Sequence, residues 1–249
     1  MSKPVIAQPD ARPDLVRPGV GVVKISTWDV GTPERQRAAV EAIGRAWLSR
    51  DWPDVGLLSY TVHIGEDGHT LLHYSQWADE QAYQQFFARY RDEKNAEIDA
   101  AVPGIERVGI HSYELYRGAG TGDPRVPGSI AIVEVEFEGP DPLRQRDWVD
   151  TVFDAIASDP PPAGGAGPDG GREPREAGIS GSFHLGTDGI RVLNYAEWET
   201  AEAHRAALAA PGAGIGSKTK EWDRVREYPG VRARRVNRYT PGLSLRPGG

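Results

Sequence analysis

Residues His63-Ile64-Gly65-Glu66-Asp67-Gly68-His69-Thr70-Leu71-Leu72-His73-Tyr74-Ser75-Gln76-Trp77 return in altered form as His184-Leu185-Gly186-Thr187-Asp188-Gly189-Ile190-Arg191-Val192-Leu193-Asn194-Tyr195-Ala196-Glu197-Trp198. The two stretches align without a gap. Each reads as strand, Asp-Gly hairpin turn and returning strand, because alternating apolar positions flank a dipeptide that suits a tight turn. Gln36-Arg37 precedes the first copy as Gln145-Arg146 precedes the second, and Val102-Pro103-Gly104-Ile105 follows the first as Tyr228-Pro229-Gly230-Val231 follows the second. Landmarks kept in one order through two halves point to a chain built of two diverged copies of one unit.

Working outward, each copy has the same element order. In the first, Val22 to Trp28 is a strand, and Thr32-Pro33-Glu34 starts a helix with a capping hydroxyl and a proline at the first helical position. Val40, Ile43 and Trp47 give that helix one apolar stripe, and Leu58, Tyr60, Val62 and Ile64 alternate as a half-buried strand does. Asp79 caps a second helix carrying Tyr83, Phe86, Phe87 and Tyr90, and Val108 to Tyr116 is a fourth strand. In the second copy Ala131, Val133, Val135 and Phe137 form a strand, Asp141-Pro142 starts a helix with Trp148, Val149, Val152 and Ile156, and Ile179 to Leu185 and Ile190 to Trp198 form the hairpin. A helix from Thr200 and a strand near Val231 to Tyr239 complete it. The order βαββαβ predicts an α+β chain of two tandem ferredoxin-like units, packed sheet to sheet as an internal pseudo-dimer. The expected domains are 19–118 and 128–249, joined by a linker at 119–127. Residues 1–18, with four prolines, read as a loose leader, and the Pro/Gly-rich stretch 158–177 as a mobile insertion.

Composition limits the function. The 249 residues lack cysteine, which excludes disulfides, thiolate metal sites and a cysteine nucleophile. A net charge of −7 argues against general nucleic-acid binding. No apolar run is long enough to span a membrane. A cytoplasmic protein is expected. Six histidines without paired helical spacing predict no metal site, and the glycines flanking the two turns do not fit a phosphate loop or dinucleotide motif. The arginines from Arg224 to Arg238 read as a solvated face or as partners of Glu134 and Glu136.

The chemistry is sought on the strand faces. Alternation puts His73, Ser75 and Trp77 on one side of their strand, and Asn194, Ala196 and Trp198 on one side of theirs. Each copy thus carries a polar ring or amide four residues before a tryptophan. Tyr83 lies six beyond Trp77, and His204 six beyond Trp198. Tyr60, His111, Tyr113 and Tyr239 are further candidates to line a pocket. The tryptophans suit core anchors equally well, His73 suits an exposed strand position, and His63 and His184 suit a structural role at the hairpin turn.

The segments Leu72 to Tyr83 and Leu193 to His204 resemble the central strand and helix start of the antibiotic-biosynthesis-monooxygenase family, within the dimeric α+β barrels. The resemblance spans nearly the whole chain outside the leader, linker and insertion. It implies a cofactor-free oxidation of a phenolic, polyketide-type polycyclic by molecular oxygen, without metal, flavin or heme. Members of that branch carry an asparagine four before the tryptophan and a tyrosine six after it. Asn194 and Trp198 match the first pair, Trp77 and Tyr83 the second; His73 stands in place of the asparagine and His204 in place of the tyrosine. Phe86-Phe87 and Ala207-Leu208 stand where a heme-degrading branch has its histidine ligand. On this reading His73 is the base, Trp77 and Tyr83 shape its pocket, and Asn194 and Trp198 do the equivalent in the second copy. Cyclisation, isomerisation or dehydration of a similar substrate, or non-catalytic binding of an aromatic ligand, stays open on the same fold, as does a homodimer through unpaired edge strands.

Overall fold

The computed structural model describes residues 3–159, 176–209 and 217–249, so most of the Pro/Gly stretch expected at 158–177 lies outside the described residues. The chain is α+β and divides into two compact units, one comprising residues up to Glu114 together with Tyr239–Gly249, the other Leu115–Arg238.

The first unit runs β1 (Val5–Ala7), β2 (Val22–Asp29), α1 (Pro33–Leu48), β3 (Leu57–Gly65), β4 (Thr70–Trp77), α2 (Glu80–Arg89), α3 (Arg91–Ala101) and the first part of β5 (Glu106–Ala119). The second runs β6 (Ser129–Phe137), α4 (Pro142–Ser158), β7 (Gly178–Gly186), β8 (Arg191–Trp198), α5 (Ala201–Ala209), α6 (Lys220–Arg226) and the first part of β9 (Val231–Pro247). In the first unit the strands lie in the order β1-β9-β3-β4-β2-β5; in the second β7, β8 and β6 are consecutive, with β5 beside β7 and β9 beside β6. The sheet pairings are antiparallel, as ferredoxin-like units require.

Local chemistry explains the elements. Thr32 Oγ1 accepts from the Arg35 amide at 3.3 Å, Asp79 from Ala82 at 2.7 Å, and Asp141 from both Leu143 and Arg144 at 3.0 Å. Gly68 and Gly189 turn their hairpins at φ +81° and +75°, a conformation that glycine adopts without strain. Buried Gln36 spans the first hairpin from below, donating to Gly65 O at 2.9 Å and Thr70 O at 2.8 Å; Gln145 does the same to Gly186 O at 3.0 Å and Arg191 O at 2.6 Å. The face of α1 bearing Ala39, Ile43 and Trp47 packs on Trp28, Val62, Leu71 and Trp77; in the second unit Trp148, Val149 and Val152 pack on Val135, Phe183 and Val192.

Three expectations need correction. The leader is not loose. Val5–Ala7 pairs with Leu245–Pro247, and Leu15 is buried. Strand pairing uses backbone groups that composition does not reveal. The last strand does not stop near Tyr239 but continues to Pro247 along the edge of β3. Pro241 is accommodated there by a register shift at Val62/His63, since a proline in a sheet needs a bulge or an edge. The second helix breaks at Tyr90, with φ −125° and ψ −21°, and resumes as α3. His63 and His184 sit within their sheets opposite Leu72 and Leu193 and are fully buried.

Candidate active site in the first unit

Pairing of β2, β3 and β4 builds the site. His73 lies opposite Ser26 on one side and Val62 on the other, and Tyr60 lies opposite Ser75. Tyr60 and His73 are therefore diagonal neighbours on one sheet face, within reach of long side chains. Trp28 and Trp77 share that face, and α1, α2 and α3 lie over it. Between sheet and helices is a cavity of about 280 Å³, lined by aromatic residues from both layers.

His73 is 4 % exposed. Its Nδ1 lies 2.7 Å from the Tyr60 hydroxyl, and its ring meets Trp28 at 4.1 Å between centroids. Its Nε2 is buried and has no hydrogen-bond partner among the described residues. Burial pulls its pKa down to about 3, and the positive charge of Arg107 and the neighbouring His63 act in the same direction. The resting imidazole is neutral. When Nδ1–H donates to Tyr60, Nε2 carries an unpartnered lone pair. Burial raises the Tyr60 pKa, so its hydroxyl also stays neutral.

Trp77 donates its indole N–H to Ser75 Oγ at 2.9 Å. Tyr83 meets Trp77 edge-on at 5.3 Å, and the Lys24 ammonium lies 4.2 Å above the Tyr83 ring. Lys24 also bonds Glu80 and Ser112, which ties the start of α2 to β2 and β5. Trp47 stacks on Tyr60 at 4.8 Å and on Phe86 at 5.8 Å. Among the described residues no group of three His, Asp or Glu side chains is placed to hold a metal ion, and no helix is long and apolar enough to cross a membrane.

Of the residues singled out in the sequence, His73, Trp77, Tyr83 and Tyr60 line this cavity. His111, Tyr113 and Tyr239 do not: His111 is exposed on β5, Tyr113 is buried opposite Val23, and Tyr239 is buried opposite Gly65. Asn194, Trp198 and His204 belong to the second unit. There the His204 ring lies 4.8 Å from Trp198, and its Nδ1 accepts from Arg238 at 3.0 Å. Burial, then Arg238, lowers the His204 pKa to about 4. Asn194 Oδ1 and Trp198 Nε1 are buried without a hydrogen-bond partner among the described residues.

Sequence reading missed Trp28, Lys94, Arg107 and the cavity role of Trp47. Trp47 was visible only as one member of an apolar stripe. Lys94 and Arg107 have no distinguishing spacing, since charged residues of this kind usually face solvent.

No family profile matches the sequence, and no curated protein matches it. Solved structures do. An anthrone oxidase-like protein superposes with a TM-score of 0.61 at 16 % identity, covering 99 % of this chain and 97 % of its own. A candidate monooxygenase from Fusobacterium nucleatum subsp. nucleatum gives 0.55 at 10 % identity over 94 % and 97 %. A mutant chlorite dismutase from Candidatus Nitrospira defluvii gives 0.51 at 11 % over 91 % and 94 %. At these identities the likeness is one of fold, and the fold is one that monooxygenase-like proteins share.

Proposed function

We propose that the chain belongs to the antibiotic-biosynthesis-monooxygenase family and is a cofactor-independent monooxygenase, oxidising a phenolic, polyketide-type polycyclic in secondary-metabolite biosynthesis. The observation that carries this reading is His73: an imidazole held at Nδ1 by Tyr60, with Nε2 buried and unpartnered among the described residues, in the wall of an aromatic-lined cavity. The anthrone oxidase-like structure of the same fold supports it.

The chemistry follows from the residues. A phenol or its anthrone tautomer lies against Trp28, Trp77 and Tyr83, and its acidic hydrogen passes to Nε2 of His73. A lone imidazolium is disfavoured here, but the transfer creates a pair of opposite charges, and Arg107 adds attraction for the anion. The electron-rich anion then reduces oxygen directly. For an anthrone the balance is one substrate and one O₂ giving one quinone and one water. One oxygen atom becomes the new carbonyl; the other leaves with the two methylene hydrogens. The aromatic walls keep bulk water from the intermediate. We place turnover in the first unit, because His73 supplies a base where the second has Asn194.

Oxygen consumption by metal-stripped protein with anthrone- and naphthol-like phenols tests this. Enzyme-dependent uptake is expected, reduced by about 10²–10⁴-fold in His73→Ala. The variant should still bind the phenol. Tight binding without uptake would overturn the oxygenase reading and leave oxygen-independent acid–base chemistry, or a carrier, on this fold.

A further inference from the structure

The cavity's charge is one-sided. Its lining includes Arg91, Lys94 and Arg107 but, among the described residues, no aspartate or glutamate. Six lining side chains form a continuous series. Arg107 lies over Trp28 at 4.6 Å, Trp28 meets His73 at 4.1 Å, His73 bonds Tyr60 at 2.7 Å, Tyr60 stacks on Trp47 at 4.8 Å, and Lys94 lies over Trp47 at 4.5 Å. An aromatic arc thus carries a cation at each end.

Each cation keeps room for a further partner. Arg107 pairs with Asp99 at 2.9 Å, yet its Nε is buried without a hydrogen-bond partner among the described residues. Lys94 is 4 % exposed. The carboxylates flanking it on α3, Glu93 and Glu97, are both bonded to Arg50. Both attract Lys94, yet among the described residues it has no ion pair of its own; a largely buried ammonium is costly, and burial, then Arg50, draws the Lys94 pKa downward. A ligand anion at that end would supply the missing partner.

We propose that this cavity selects a hydroxyaryl carboxylic acid, its phenol at His73 beside Arg107 and its carboxylate paired with Lys94, which is thereby a specificity-determining residue. This rests on the reading of the cavity as a phenol site, and it adds the second functional group that the substrate must carry.

Anaerobic titration calorimetry with 6-hydroxy-2-naphthoic acid, its methyl ester and 2-naphthol tests the assignment apart from turnover. In the wild type the acid should bind at least about tenfold more tightly than the ester, as a desolvated charge-assisted contact implies. Lys94→Met should abolish that preference, and Lys94→Arg should retain part of it. A wild-type protein that binds acid and ester equally overturns the proposal without any variant, and so does a preference that survives in Lys94→Met. Preference for the acid with no oxygen uptake would keep the proposal and remove the oxygenase reading. Uptake with 2-naphthol but no preference would do the opposite.

Discussion

His63, His73 and His184 are each less than 5 % exposed, and burial draws their pKa values down to about 3, 3 and 4. An unfolded histidine titrates near 6.5. Between these values the unfolded chain holds more protons than the folded one, so stability falls as pH drops. The contribution is complete above about pH 6.5 and is lost progressively toward pH 3–4. Urea midpoints should therefore be level from pH 7 to 8 and decline measurably between pH 6.5 and 5, where most carboxylates are still ionised. A midpoint unchanged across that interval would contradict the burial of these rings. The sequence marked His63 and His184 as a matched pair but not as interior residues. They fall out of the apolar alternation, and only the sheet shows that both strand faces are covered. His73 could be found because a second copy gave it a counterpart, Asn194. Lys94 and Arg107 had no counterpart to compare, and their importance comes from the rings they meet, which are distant in sequence.

At the scale of elements, the two hairpins depend on one amide each. Gln36 and Gln145 are buried and reach both strands at the turn. Gln36→Leu deprives two carbonyls of their donor and should cost about 2–4 kcal/mol. Chemical denaturation followed by tryptophan fluorescence would read this, and a loss below about 0.5 kcal/mol would show that the amide is not what ties helix to hairpin. The repeated Gln-Arg was plain in the sequence without its reason; the carbonyls it serves lie 29 to 46 residues further on. Caps and Asp-Gly turns were legible because their chemistry is local. The break at Tyr90 and the full length of β9 were not. The first carries no proline or glycine. The second contains Pro241 and Gly242, which read as a stop signal, while its length depends on the open edge of β3.

At the scale of the molecule, the first unit is discontinuous in the chain. Tyr239–Gly249 belongs to it although all of Leu115–Arg238 intervenes. This stretch pairs with both β1 and β3, and Leu245 is fully buried in the first unit's core. Deleting residues 239–249 should therefore unfold the first unit and abolish aromatic-ligand binding at its cavity. Limited proteolysis should then cut first within residues 3–114. Retained binding by the truncated protein would show that β9 is dispensable to the site. The sequence supplied two copies in order, and with them two tidy domains. It could not supply the extension of the last strand into the first unit, which depends on which sheet edge is open and not on any pattern within the strand.

That discontinuity also sets a timetable. On the ribosome the strand that completes the first unit emerges only after the whole of the second has been made. At about 5–20 residues per second the wait is roughly 6–25 s. Throughout it the edge of β3 is an open template for stray pairing. The half of the chain synthesised first thus waits for its closing strand until the other half has been made.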